Sequence, residues 1–254
     1  MEESQVMRVL KRDGFGRVEL CASPEGLRVR RVASGGRLPG SRWIARLLLA
    51  RERRALRALD GLPGVARVIE VAPDDSALVR SWIAGRALCE ASELPRDFFE
   101  RLEELVSALH ERGVCHNDLH KEGNVLVGED GRPGLVDFQL ASVHARRGRA
   151  FATRAREDLR HVWKHRSLYY RALGVPDPLL GREPRRSFLA ELWRRTGKPL
   201  YNRVTGLARL RAPSDAGEPR RPKEGPWPCW TAPVGPRSAA TRAGSSPAAP
   251  RPAR

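Results

Sequence analysis

Lysine is missing from a long stretch of this chain: none occurs between Lys11 and Lys121. Any cationic task in the first half of the protein therefore falls to arginine. Acid is scarce as well. Asp and Glu number 30 against 47 Lys and Arg, leaving a formal charge of +17. That field argues against cationic partners and favours acidic ones: nucleotide, phosphorylated sugar, anionic lipid or nucleic acid. The arginines are scattered rather than set in one block, which disfavours a dedicated nucleic-acid surface.

Cysteine is also rare. Cys21, Cys89, Cys115 and Cys229 lie far apart, with no CxxC and no Cys/His cluster at zinc spacing. They read as reduced thiols of a cytosolic protein. Long apolar runs are lacking: the greasiest stretch, Trp43 to Ala50, is short and broken by Arg46, and Met1 to Asp13 has no apolar leader core. The expectation is a cytoplasmic protein, soluble or peripheral at the inner face of the membrane. A chain of 254 residues suits one or two domains with a real core. It shows no internal repeat.

What the chain does contain is concentrated in His116-Asn117-Asp118-Leu119-His120-Lys121-Glu122-Gly123-Asn124, followed by Val136-Asp137-Phe138. Val125-Leu126-Val127 reads as a short buried strand, residues 128–133 as a hairpin turn, and Leu135-Val136 as the returning strand. That hairpin brings Asn124 and Asp137 to the same end of two paired strands. One divalent ion could bridge both, and Mg²⁺ suits one or two protein oxygens plus phosphate oxygens and water. Asp118 precedes the first strand and would face the same cleft.

The flanking segments give a coarse layout. Residues 8–33 read as small strands and turns, with Asp13-Gly14-Phe15-Gly16 either a reduced glycine-rich loop or an ordinary hairpin turn. A helix is expected over 41–59, with Leu48, Ala55, Leu56 and Leu59 on one face and Glu52 on that same face. Glu52 is the only acid between Gly26 and Leu59, so an inward position demands a cationic partner. Paired strands follow over 65–71 and 77–83. Pro95 to Arg112 is a helix ended by Gly113, with Phe99, Leu102, Leu105, Val106 and Leu109 on one face. Arg154 to Ala172 is a basic helix, and residues 184–210 add another around Leu192. From about Ala212 onward Pro, Ala, Arg, Gly and Ser dominate, a composition expected to be disordered.

On His116, Asp118, Asn124 and Asp137-Phe138-Gln139 the chain resembles the protein-kinase-like superfamily. The wording looks most like small bacterial RIO-type and lipopolysaccharide-kinase-like proteins, while aminoglycoside and choline kinases carry a similar Asp-x-His loop. The resemblance spans about residues 8–170, and only residues 116–138 are specific. It implies an α+β, two-lobed fold: a small antiparallel-sheet lobe over 1–83, a reduced and mainly helical lobe over 84–210, and a tail over 211–254. It also implies ATP and Mg²⁺ as cofactors, with Asn124 and Asp137 as metal ligands. Asp118 would orient the acceptor hydroxyl, and either His120 or Lys121 would reach the γ-phosphate. His116 becomes a structural brace. Asp158 could brace the same loop, though a surface ion pair is the favoured reading.

Further roles follow by position. Gly14 and Gly16 would lie over the phosphates. Ser81, Trp82 and Ile83 would form the linker that holds the adenine by its backbone. The strand lysine of kinases is missing, so Arg31, with Arg30 as runner-up, would take its place and pair with Glu52. Two departures stand out. Five residues, 119–123, separate Asp118 from Asn124 where four are usual, so a bulge is expected, with Gly123 as its site. Gln139 replaces the usual glycine after Asp-Phe. There is no Ala-Pro-Glu anchor after Asp137 and little room for a long activation segment, which speaks against common peptide docking.

The resulting expectation is a kinase. It would move the γ-phosphate of ATP to a hydroxyl on protein Ser/Thr or on a lipopolysaccharide-type sugar, with an anionic membrane surface as a further partner. Two alternatives remain: a pseudokinase that binds nucleotide or a partner without catalysis, and a basic nucleic-acid-binding protein.

Overall fold

The computed structural model describes residues 5–36, 40–91, 93–174 and 176–177. The expected helix over 184–210 and the tail over 211–254 lie outside the described residues, as does Cys229.

Three strands open the chain: β1 (Gln5–Asp13), β2 (Gly16–Ser23) and β3 (Gly26–Ala33). Helix α1 (Ser41–Ala58) follows, then β4 (Val68–Val71) and β5 (Ala77–Ser81). The five strands form one antiparallel sheet in the order β1-β2-β3-β5-β4. Asp13-Gly14-Phe15-Gly16 makes a tight hairpin turn, closed by the Phe15 N–H donating to Asp13 Oδ1 at 2.9 Å. Gly16 is required there. Its φ is +153°, and a Cβ would lie 2.1 Å from the Val32 carbonyl oxygen on β3.

Helix α1 has no side-chain cap and no acid in its first turn. A run of strong helix formers, Ala, Leu and Arg, and packing of one face hold it instead. It buries Ala45, Leu49, Ala55 and Leu56 on the sheet, and each leucine contributes about 1.5–3 kcal/mol of transfer free energy. Leu49 sits in the core where the sequence pattern favours Leu48, which is half-buried. Glu52 faces inward as expected and is 1% exposed.

The second lobe begins with β6 (Arg86–Ala87) and α2 (Phe98–Glu111). Then come β7 (Val114–Cys115), β8 (Val125–Val127), β9 (Pro133–Leu135), β10 (Ser142–Val143) and α3 (Arg149–Ala172). Strands β6, β8 and β9 form one small sheet, and β10 pairs with β7. Helix α2 starts at Phe98 rather than Pro95, because Pro95 closes a preceding turn by accepting from the Phe98 N–H at 3.0 Å. Helix α3 starts earlier than expected and buries Phe151. One apolar core runs through both lobes, from Leu49 and Leu56 of α1 through Phe138 to Phe98, Leu102 and Leu109 of α2.

Two close approaches join the lobes. The chain crosses at Gly85, φ +157°, where a Cβ would stand 2.7 Å from the Val127 carbonyl oxygen. Far along the sequence, the loop after α1 touches β9: Leu135 N–H donates to Gly64 O at 2.8 Å, and Val65 bridges Leu135. Gly64 has φ +82°, and a Cβ there would lie 2.7 Å from Pro133 O. No helix among the described residues is long and apolar enough to cross a membrane. Cys21 and Cys115 are free and buried. Burial, helped by the nearby negative charge of Asp158, pushes the Cys115 thiol up to about 12.

Candidate active site

A cleft lies between the lobes. Arg31 and Arg80 line one wall, Trp82, Ile83 and Gly85 the linker, and Asn124, Asp137 and Gln139 the floor. The β8–β9 hairpin accounts for the floor. Val125 pairs with Leu135, so the residues just outside that pair, Asn124 and Val136, meet: the Val136 N–H donates to Asn124 O at 3.0 Å. Asp137 follows at once.

Asp118 sits beside this floor, 2% exposed. Asn124 links it to the cleft by donating its Nδ2 to Asp118 O at 2.9 Å and to Oδ2 at 3.1 Å. Lys121 Nζ also donates to Oδ2, at 2.7 Å, and His120 Nδ1 stands 2.9 Å from Oδ1. Burial would raise the Asp118 carboxyl, but the closeness of His120 and Lys121 outweighs it and holds the group below the ordinary carboxylate range. His120 and Lys121 are both about half exposed and engaged with Asp118 rather than lining the cleft.

Because Asn124 spends its amide nitrogen on Asp118, its carbonyl oxygen is left to face a ligand. Asp137 Oδ1 is buried and makes no hydrogen bond among the described residues. A carboxylate and a carboxamide oxygen lining one cleft suit a small hard cation. The donor set therefore fits Mg²⁺.

The loop itself is held from behind. Asp158 on α3, 1% exposed, accepts the N–H groups of His116 at 2.7 Å and Asn117 at 2.9 Å, and faces His110 Nε2 at 3.2 Å. It braces the loop, where sequence reasoning favours a surface ion pair. Only the fold brings α3 under residues 116–117. His116 is fully buried, with Nε2 at 3.0 Å from Val136 O and its ring tilted against Phe138, centroids 4.6 Å apart.

The expected bulge at Gly123 is not found. Gly123 has no left-handed φ, and the extra residue is taken up in a 3₁₀ turn over Glu122–Asn124. The left-handed residues are instead Asn117, φ +63°, and Asp137, φ +66°. Asn117 is held there by donating its side-chain N–H to Leu140 O at 2.8 Å and to Ser142 Oγ at 3.1 Å.

Of the remaining residues singled out by sequence, Arg31 and Glu52 meet, with Nη1 to Oε2 at 3.5 Å. Arg30 points to the other sheet face and pairs with Glu19 at 2.7 Å. The side chain of Ser81 accepts the Arg67 N–H at 2.9 Å, and the Trp82 N–H is spent on Leu27 O at 3.3 Å, so of the three linker residues Ile83 has its backbone most available. Gly14, Gly16, Arg30, Glu52 and Ser81 do not line the cleft. Lys11 and Arg80 do, and sequence reasoning passed over both. Lys11 is the last lysine before the long gap, which was the one signal that could have marked it.

The comparisons with known proteins meet this geometry. The sequence profile of the APH phosphotransferase enzyme family matches residues 2–147. The chain belongs to the phosphotransferase enzyme family. A curated relative, the probable SapB synthase of Streptomyces coelicolor, is 32% identical over 37% of the chain. The chain spans only 12% of that protein. Among solved structures, the Rio2 kinase of Chaetomium thermophilum superposes with a TM-score of 0.53 at 17% identity, covering 70% of this chain and 61% of that one. That likeness shows the fold, a two-lobed, kinase-like α+β architecture.

Titration near the site gives a first expected result. His161 on α3, close to His120, is pushed down to about 3, by burial first and then by Arg160 and the other neighbouring cations. Its unfolded value is about 6.5, so the unfolded chain binds the extra proton first and stability falls as pH drops from about 6.5 toward 3. Asp118 and Glu122 are both held low and lose their stabilising contribution only below about pH 4. The urea midpoint should thus decline already between pH 7 and pH 5. His161→Gln should flatten that part of the curve and leave the steeper loss below pH 4. An unchanged curve would show that His161 titrates normally.

Proposed function

We propose that this phosphotransferase is an ATP-dependent kinase that moves the γ-phosphate to a hydroxyl acceptor, either a protein Ser/Thr or a lipopolysaccharide-type sugar. The observation that carries the reading is the contact between Asn124 and Asp118. It ties a carboxylate suited to a hydroxyl to the two side chains suited to a metal, Asn124 and Asp137, at the floor of one cleft. Asn124 and Asp137 would hold Mg²⁺, which when bound neutralises charge on the phosphates and orients them.

The protein's own groups do the rest. Ile83 and Trp82 would hold the base at the linker, and Arg31, fixed by Glu52, would grip phosphate oxygens. Asp118, kept ionised by its neighbours, would align the acceptor hydroxyl and take its proton late. A loose transition state asks for positioning more than for a strong base. Lys121 would turn from Asp118 toward the transferred phosphate as negative charge arrives there.

One observation favours a second reading, nucleotide binding without transfer. Oδ2 of Asp118 is taken up by Lys121 and Asn124, and His120 stands 2.9 Å from the buried Oδ1 without a hydrogen bond to it, so an acceptor hydroxyl must enter past His120. The deciding test is incubation with labelled ATP and Mg²⁺ against a host lysate split into protein, lipid and glycan fractions. The kinase reading expects label in one fraction, abolished by EDTA. Binding of Mg-ATP without transfer supports the second reading, and no binding at all overturns both.

A further inference from the structure

The residue with the least expected position is Arg80. The register explains how it arrives. Arg31 of β3 pairs with Leu78 of β5, and Val29 pairs with Arg80. Side chains two apart share a sheet face, so Val29, Arg31, Leu78 and Arg80 all point toward α1 and the cleft. Arg31 and Arg80 are diagonal neighbours, a separation that two long side chains can span. Glu52 comes down between them: Oε2 is 3.5 Å from Arg31 Nη1 and Oε1 is 3.3 Å from Arg80 Nε. All three side chains are buried or nearly so, at 8%, 1% and 12% exposure for Arg31, Glu52 and Arg80.

Two cations thus share one anion. Neither contact is tight: Glu52 Oε2 and Arg80 Nε are both buried without a hydrogen bond among the described residues. Arg31, Glu52 and Arg80 together carry one net positive charge. The balance is positive before any metal is added. A buried charge without a full counterpart is costly, and an anionic ligand relieves that cost.

We infer that Arg80 is a second phosphate-binding cation, working with Arg31 through the shared Glu52. Two guanidinium forks stand where the usual arrangement has one lysine, and each can hold phosphate oxygens in a bidentate manner. This rests on the nucleotide reading above and adds to it a residue and a subsite for the polyphosphate.

Binding of ATP, tripolyphosphate and adenosine to the wild-type protein, Arg80→Met and Arg80→Lys is the test, read by calorimetry and thermal shift. Arg80→Met should weaken ATP and tripolyphosphate by about tenfold or more, as expected for one charge-assisted hydrogen bond, and leave adenosine unchanged. Its unliganded melting temperature should not fall, because Arg31 and Glu52 remain as a neutral pair. Arg80→Lys keeps the charge and should lose less. Equal ATP binding by Arg80→Met overturns the inference, as does an equal loss for adenosine, which would put Arg80 against the base. A marked drop in unliganded stability would show that Arg80 serves the fold instead. If the wild-type protein itself binds no ATP, the nucleotide reading fails first, and that outcome is distinct from the others.

Discussion

Asp118→Asn should lower phosphate transfer by about 10²–10⁴-fold, the range for loss of a positioned proton acceptor. The affinity for Mg-ATP should change little, because Asp118 lies beside the cleft rather than in its lining. Asp137→Asn should behave differently. It removes a carboxylate from the metal-binding pair, so transfer should fall at least as far and Mg-dependent nucleotide binding should weaken with it. Steady-state kinetics paired with calorimetry in Mg²⁺ and in EDTA separate the two patterns. If Asp118→Asn kept full kcat, the acceptor's proton would have to go elsewhere and the assignment would fall. Asp118→Asn also loosens Lys121 and His120, so the comparison with Lys121→Met is informative: that variant keeps the proton acceptor and should lose less.

Asp158→Ala should cost about 3–5 kcal/mol of stability. The reason lies in what is left behind. The backbone N–H groups of His116 and Asn117 both end on this one carboxylate, deep in the core, and alanine would strand them. Hydrogen bonds to a charged acceptor contribute about 1.5–3 kcal/mol each, and two are lost together. Asp158→Asn keeps the shape and one acceptor oxygen, so about half of the loss is expected. Urea unfolding of the three proteins measures this. A change below about 1 kcal/mol for the alanine variant would mean that water or a neighbour satisfies those groups, and that Asp158 is not what fixes the loop.

Local pattern carried the fold a long way. Alternation and turn residues located the β8–β9 hairpin, and with it the placing of Asn124 and Asp137 along one cleft floor. The inward Glu52 was legible because a lone acid on an apolar helix face calls for a buried cation to meet it. Legibility ended where partners come from distant segments. Arg80 looks like any arginine on a short strand until the register with β3 puts it diagonal to Arg31. Asp158 reads as one more acid on a basic helix until α3 packs beneath residues 116–117. The extra loop residue was visible in the spacing, but glycine's conformational freedom proved a poor guide. A 3₁₀ turn absorbed it with ordinary angles, and the left-handed φ went to Asn117, whose side chain could satisfy nearby oxygen atoms.

The seam at Gly64 and Val65 has a mechanical consequence. With Gly85 it pins the sheet to the helical half at two separated points. Helix α1 packs across the same boundary onto the segment at Phe138, so the halves are also tied along a shared core. Arg31 and Arg80 travel with the sheet, while Asn124 and Asp137 stay with the β8–β9 hairpin. A triphosphate in the cleft would thus run between guanidinium groups on one half and oxygen ligands on the other.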